Sequence, residues 1–567
     1  MRMISCIVSI PILIAILACV GSSAVYGQDR FDVVVYGATS AGVTSSIQAA
    51  RMGKAVCLIS TDGYIGGLTT SGLGATDINR REAIGGIARE FYARIYKHYE
   101  RPAAWNYTTA ESYFEHENNR YFGNNKVKRV WGGKDETLKI MWVFEPRVAK
   151  DVFEQMLLEA GVKVIYNERL DLDKGVVKRG LAISSLLMES GREIEGRMFI
   201  DATYEGDLMA GAGVSYFVGR ESNAQYNETK NGIHPTGFMG MDITNGLGDK
   251  AIDPYIRKGD PSSGLLPFLE PAPLGRKGDA DKRIQAYAYR VTLSNDPRNF
   301  RRIEKPENYN PLWFEHLARV FEINPCIDIF KIITVTPLPN RKTDINHCDF
   351  VGASYEWPEG DYQVRERVAQ MHKDFALGKI WFLQNDPRVP VGIRKVMEEY
   401  GLPLDEFLDT DNFPHQLYIR EARRMIGDYV ITENDVLGKS NISDPIGLGT
   451  YPLDSHVVSH YKDDQDRVWI EGAYLTHESY AYPVSYKTIT PKASECSNLL
   501  VPVCLSASHT AYSSVRMEPQ YMVLGQSSAL AACVAIDLNI PVQKVPYQRL
   551  LKLLLANAQI LDLQDSE

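Results

Sequence analysis

No Cys-x-x-Cys pair occurs in this 567-residue chain, and its eight cysteines are scattered, which removes the usual zinc and dithiol-redox motifs. Positive charge is in deficit as well: 62 Lys and Arg stand against 71 Asp and Glu, a net charge of −9. Nucleic-acid binding needs clustered cations to displace phosphate counterions, so that class is set aside. There is no internal repeat and no low-complexity tract. Only one apolar run approaches membrane-spanning length, from Ile4 to Val20, broken by Ser5, Ser9 and Pro11.

That run follows Arg2 and leads into Gly21-Ser-Ser-Ala24, the plan of a secretory signal. Cleavage near Ala24 or Gly27 leaves Cys57, Cys326, Cys348, Cys496, Cys504 and Cys533 in the mature chain. An uncleaved anchor is the alternative, and Cys19 makes a poor lipoprotein site. The expectation is a secreted or periplasmic protein with no integral membrane domain after processing. Export permits disulfides, Cys496 with Cys504 or Cys326 with Cys348, although so few cysteines are more often buried small hydrophobes.

What remains is globular in composition: 44% hydrophobic, 23% charged and 10% aromatic, with 44 Gly and 28 Pro. Asp32-Val-Val-Val-Tyr36 reads as a buried parallel strand that stops at Gly37-Ala-Thr-Ser-Ala-Gly42. Val43, Ile47 and Ala50 recur at helical spacing up to Gly53, and Lys54 to Ser60 returns to a strand. A strand, tight glycine turn and helix form the dinucleotide-binding unit, in which N–H groups at a helix start receive a pyrophosphate. The fingerprint departs twice from G-x-G-x-x-G and its acidic partner. Thr39 replaces the second glycine, and Ser60 stands where the ribose-binding acid is expected, with Asp62 two residues on.

Five glycines fall between Gly63 and Gly74, a density that lets backbone run beside a large flat ligand. Val148 to Ala160 has an amphipathic helix pattern, and Arg197-Met-Phe-Ile-Asp201-Ala-Thr203 reads as another strand ending in small polar residues. Leu499 to Leu505 predicts a strand. Glu518-Pro519 predicts the start of a helix carrying Gly525, Ser527, Ser528, Ala529, Ala531, Ala532 and Ala535, small enough for close approach of a partner surface.

Between strand and helix lie His509, Tyr512 and Arg516. His509 is the candidate acid/base, since imidazole titrates near neutral pH. Arg516 is a cation for a developing charge or an anionic substrate, or else a plain ion pair with Glu518 or another carboxylate. The spacing of Leu417, Glu421 and Met425 predicts a helix that places Arg420 beside Arg423 and Arg424, either as a charged cavity lining or as a solvated face. Tyr355, Trp357 and Tyr362, with His372 beyond, read either as a platform for sugar rings or as core.

Together with these, the segments Val35-Tyr-Gly-Ala-Thr-Ser-Ala-Gly42, Gly66-Gly67, Glu145-Pro146, Asp201-Ala-Thr-Tyr-Glu-Gly-Asp207, Lys342-Thr-Asp-Ile-Asn346, Tyr355-Glu-Trp-Pro-Glu-Gly-Asp361, Gln416 to Gly427 and Leu499 to Pro519 resemble the FAD-dependent oxidoreductases of secreted bacterial proteins, over nearly the whole mature chain. The resemblance implies an α/β fold with a Rossmann-like, glutathione-reductase-like FAD-binding domain and an inserted α+β substrate domain. It implies FAD held by Gly37, Thr39, Ala41, Gly42, Ser60, Gly66, Gly67, Asp201, Ala202, Thr203 and Glu518, with the late helix aimed at the flavin. His509, Arg516, Tyr512 and Arg420 are then the catalytic candidates, Arg516 for the carbonyl edge of the flavin or for an anionic substrate, with no metal.

The domain boundaries that follow are a signal at 1–27, cofactor-binding segments at 28–213 and 490–545, a substrate segment at 214–489, and a C-terminal helix and tail at 546–567. The expected activity is hydride transfer between flavin and a small-molecule substrate, a sugar or polyol on the strength of the aromatics and the compartment. A polysaccharide lyase acting by β-elimination and a non-catalytic dinucleotide-binding protein are the alternatives. The sequence leaves oligomeric state open.

Overall fold

The computed structural model describes residues 29–115, 133–234, 252–272, 274–476 and 480–563, with the backbone of two short strands at 121–122 and 125–126. The expected signal at 1–27 lies outside the described residues. The first strand, β1 (Asp29–Tyr36), carries the β-branched run, and Val33, Val34, Val35 and Tyr36 are completely buried. Burial on both faces is what a continuous apolar run means in a parallel sheet.

Its neighbours are β2 (Val56–Ile59), β3 (Lys163–Ile165), β4 (Val176–Arg179), β5 (Ala182–Leu187), β6 (Glu193–Asp201) and β7 (Leu499–Leu500). The seven strands form one sheet in which β3, β2, β1 and β6 are parallel neighbours in that order. Along the far edge of β6, β5 pairs antiparallel at Glu193–Glu195 and continues to β4, while β7 pairs parallel at Phe199–Ile200. The expected strand from Leu499 to Leu505 is thus only two residues long. Beyond Leu500 the chain turns to other partners, with Val501 N donating to Ile489 O.

The helices that matter are α1 (Ser40–Arg51), α2 (Gly86–Tyr99), α3 (Pro146–Ala160), α4 (Tyr362–Asn385), α5 (His509–Val515) and α6 (Glu518–Leu538). Proline in the first turn starts both α3 and α6, where its missing N–H costs nothing. α6 is buried almost all round, so it has no polar face. Among the described residues it is the one helix long and apolar enough to cross a membrane, and 89% of its apolar window lies inside the protein. It lies against α1, and the small residues are the reason. A Cβ on Gly525 would sit 2.4 Å from Ala41 O. Thr44 and Ser45 of α1 donate their hydroxyls to Met522 O and Gly525 O at 2.9 and 2.8 Å.

The described residues between 216 and 485 give this sheet no strand. They build a three-stranded antiparallel sheet ordered Val291–Ser294, Lys342–Asn346, Thr334–Leu338, several two- and three-stranded ribbons, and the 24-residue α4, capped by Asp361 accepting from Val364 N. Buried ion pairs join this segment to the first. Lys342 Nζ meets Glu145 and Glu406 at 2.7 and 2.6 Å, all three side chains being inaccessible. Arg290 pairs with Asp344, whose other contact is Ala75 N. Arg365 and Arg423 converge on Asp207.

Two alternatives left open by the sequence are decided here. The aromatics form no open platform: Trp357, 7% exposed and edge-on to Tyr287, and His372, enclosed between Val368 O and Ser354, are core, while the half-buried Tyr355 and Tyr362 donate to Val458 O and Leu170 O. The six described cysteines are all free, five of them buried as small hydrophobes, so neither proposed disulfide is present.

Candidate functional site

At the carboxyl end of β1 the backbone enters Gly37 at φ +99°, where a Cβ would lie 2.6 Å from Thr203 N. Only glycine fits this turn between the ends of β1 and β6. Gly42 is excluded from growing by Gly37 O, 1.9 Å from its would-be Cβ. These two glycines make a bare concave turn that leads straight into the first N–H groups of α1, the ones without intrahelical acceptors.

The departure at Thr39 has a structural reason. Thr39 is the N-cap of α1, accepting from Gly42 N at 3.4 Å and donating its hydroxyl to Ala202 O at 2.7 Å. It therefore ties the helix start to the end of β6. Ser60 is 2% exposed, and its hydroxyl serves its own turn, with Tyr64 O at 2.6 Å and Asp62 Oδ1 at 3.0 Å. Asp201 likewise holds its own turn, accepting from Thr203 N, Thr203 Oγ1 and Met209 N. Burial pushes its carboxyl up to about 6 against the pull of those bonds.

Gly66 and Gly67, at φ +87° and +54°, run beside this turn, and Gly66 N donates to Ala38 O. Glu518, at the start of α6, collects three hydroxyls from three chain segments: Ser40 at 2.6 Å, Tyr204 at 2.7 Å and Thr69 at 2.8 Å. Burial raises its carboxyl above the ordinary range, although the three donors pull the other way. It does not pair with Arg516. Ser40, Thr69 and Tyr204 escaped sequence reasoning, because no local pattern links positions so far apart.

A second group lies beyond the start of α6. Arg516 donates from Nη1 to Tyr418 OH at 2.8 Å and from Nη2 to Asp454 O at 2.9 Å. Arg420 stacks on the same ring, 4.3 Å from its centroid, and donates to Ala286 O and to Asp349 Oδ1. Asp349 turns its other oxygen to His456 Nδ1 at 2.6 Å. Burial opposes ionisation of Asp349, but Arg420 and His456 outweigh it and hold the carboxyl below its usual range. Nearby, burial pushes Asp77 up despite Arg290. Asp77, Tyr451, Ser514, Met517, Pro519 and Gln520 line a small cavity at the first turn of α6.

The segment around Arg420 is not a helix. Residues 417–423 are irregular, with an isolated bridge at Tyr418 and Ile419 N bonded back to Leu417 O, and the short strand Arg424–Met425 follows, so Arg420, Arg423 and Arg424 do not share a helix face. Distant carboxylates take the arginines separately: Asp349 for Arg420, Asp207 and Glu359 for Arg423, Glu221 for Arg424. Glu421 meets His509 Nδ1 with both oxygens, at 2.9 and 3.0 Å. Burial resists the charge on Glu421, yet His509 and Arg424 bring its carboxyl down to about 2. Facing a carboxylate, Nδ1 of His509 is the donor. Tyr512 lies one turn along α5, its hydroxyl taken up by Val503 O and Tyr521 OH. The structure thus brings Arg420 and Arg516 together at Tyr418 and sets His509 beside the neighbour of Arg420, whereas Tyr512 belongs to the core.

A parallel sheet, a glycine turn at the end of its central strand and a helix starting at that turn define a mixed α/β nucleotide-cofactor protein. The profile of the family described as FAD dependent oxidoreductase matches residues 32–554. The chain belongs to this family. No curated protein matches it significantly. Among solved structures it is similar to a geranylgeranyl bacteriochlorophyll reductase-like protein from Thermoplasma acidophilum, at 12% identity and TM-score 0.35 over 94% of this chain and 85% of that one. It is also similar to L-proline dehydrogenase from P. horikoshii, at 17% identity and TM-score 0.22 over 34% and 59%. A mutant flavin monooxygenase from Stenotrophomonas maltophilia matches at 14% identity and TM-score 0.19 over 34% of this chain, which spans 42% of the length of that enzyme.

Proposed function

We propose that the chain binds FAD in a glutathione-reductase-like manner and passes a hydride between the flavin and a small organic substrate, in a protein exported by its N-terminal signal. One observation carries this reading: α1 and α6, far apart in sequence, begin side by side at Ser40 and Glu518, just outside the carboxyl ends of β1 and β6. Such a crevice is where open α/β sheets bind ligands, and two helix starts favour an anionic one. The antiparallel β4–β5 extension and the late return of β7 support the subtype.

In this reading Gly37, Thr39, Ala41 and Gly42 form the pyrophosphate turn, with Gly66 and Gly67 beside it and Asp201, Ala202 and Thr203 bracing it from β6. The glycine turn at the first N–H groups of α1, donors without intrahelical acceptors, fits the group. Ser60 is the weakest of the set, since its hydroxyl is already engaged. FAD, when bound, supplies two-electron chemistry by accepting a hydride. The chain supplies the proton path and the shaping of charge. Glu421 fixes the His509 ring through Nδ1, which leaves Nε2 to take the substrate proton. Arg420 and Arg516 provide fixed cations in a water-poor setting, where such charges act strongly.

A hydroxylated substrate, a sugar or polyol, is kept on the compartment alone, since the aromatics that also argued for it form no open platform. Anaerobic titration of the purified protein with candidate substrates tests the function. Bleaching of a bound flavin supports it. Protein that carries no flavin and takes up none contradicts it.

A further inference from the structure

Arg420 is completely buried and Arg516 is 3% exposed, yet the Nε of each has no hydrogen-bond partner among the described residues. Buried guanidinium donors left unpaired are costly, and two of them flank one aromatic ring. The amino nitrogens of Arg516 reach only neutral oxygens, the Tyr418 hydroxyl and the Asp454 carbonyl. Asp77 and Asp454 act on it only at longer range. Arg420 has a single carboxylate partner, Asp349, and shares it with His456. Arg290, by contrast, is fully engaged, with two bonds to Asp344. Two buried guanidinium donors around Tyr418 therefore await an acceptor.

Gln520 Nε2, in the small cavity at the start of α6, also has no partner among the described residues. Guanidinium groups match planar two-oxygen acceptors better than hydroxyls, because two N–H bonds meet two oxygens of one charge.

We infer that the substrate of this oxidoreductase carries a carboxylate, received by Arg420 and Arg516 on either side of Tyr418. This rests on the function proposed above and narrows it from hydroxylated compounds at large to hydroxy acids or sugar acids. Arg420 and Arg516 are then specificity-determining residues. A neutral polyol leaves both donors unpaired, and a site built around buried polar groups rejects the analogue that lacks their partner.

The test is calorimetric titration of the FAD-loaded protein with glycolate, D-gluconate and D-glucuronate, each beside its neutral counterpart, ethylene glycol, sorbitol and D-glucose. We expect saturable binding of at least one carboxylate and none of its neutral counterpart at equal concentration. Arg420→Gln and Arg516→Gln should each weaken that binding about 30-fold or more while retaining flavin. Should either glutamine variant lose flavin, Arg420→Lys and Arg516→Lys carry the test, since lysine keeps the charge without Nε–H; weakened carboxylate binding is again expected. Neutral compounds binding as well as carboxylates would overturn the inference, as would carboxylate binding indifferent to both arginines. Arg516→Gln altering flavin retention alone, with carboxylate binding intact, would assign Arg516 to the flavin and overturn it as well. Protein without flavin fails the functional reading itself, a result distinct from all of these.

Discussion

Ser40, the first residue of α1, donates its hydroxyl to Glu518, the first residue of α6, at 2.6 Å across 478 positions of sequence. Thr69 and Tyr204 complete the set, so one carboxyl joins the glycine turn, the Gly66–Gly67 loop, the end of β6 and the late helix. Burial favours its protonated form.

Glu518→Gln, the neutral isostere, should therefore keep both fold and FAD. Glu518→Ala leaves three hydroxyls unpartnered around a void and should cost about 2–5 kcal/mol. Thermal unfolding and the flavin-to-protein absorbance ratio of the two variants check this; equal losses in both would show that the charged form is the one required.

The contact of α6 with α1 predicts that Gly525→Ala is destabilising by about 1–3 kcal/mol, because the new methyl meets Ala41 O. Gly392→Ala is the control, since nothing lies within 4 Å of its Cβ position, and it should move the melting temperature little. Similar shifts in both would contradict the close packing.

Lys342 is enclosed by Glu145 and Glu406, and burial pushes Glu406 up to about 7. Removing the one ammonium leaves buried carboxylates facing each other, so Lys342→Met should cost about 3–5 kcal/mol, read by urea unfolding. A neutral result would show the cluster to be wet.

For Glu421 the sign follows from its depressed folded value. Its ordinary value is 4.5 and its folded one about 2, so the stabilisation is fully present above pH 4.5 and is lost as pH falls toward 2. The amount is about 3 kcal/mol. Unfolding midpoints at pH 6, 4 and 3 should fall steeply in the wild type and less so in Glu421→Gln. Parallel curves would remove Glu421 as the acid-sensitive group. In the same dyad, His509→Ala should slow flavin reduction about 100-fold or more with FAD still bound, measured by anaerobic stopped flow.

The cofactor half was legible where structure is local. The β1 run, Gly37, Gly53 and the Glu518-Pro519 start all mark real boundaries to within a few residues. The segment 417–425 misled because two i,i+4 spacings in so short a window mimic a helix, whereas its arginines go to Asp349, Asp207 and Glu221, 71 to 216 positions away. Glu145 and Lys342 were visible as motif residues, but their pairing needs two segments folded together. Arg290 and Tyr418 carry no local signal at all. Thr39 looked like a flaw in the fingerprint and is the helix cap.

If the glycine turn and the adjoining starts of α1 and α6 receive FAD, the purified protein takes up flavin and puts it to redox use. The most direct measurement is the visible spectrum of the purified protein before and after incubation with FAD and desalting, followed by anaerobic addition of a hydroxy or sugar acid. A stoichiometric flavin that bleaches with substrate is the result expected. Protein that stays colourless after FAD loading would contradict it.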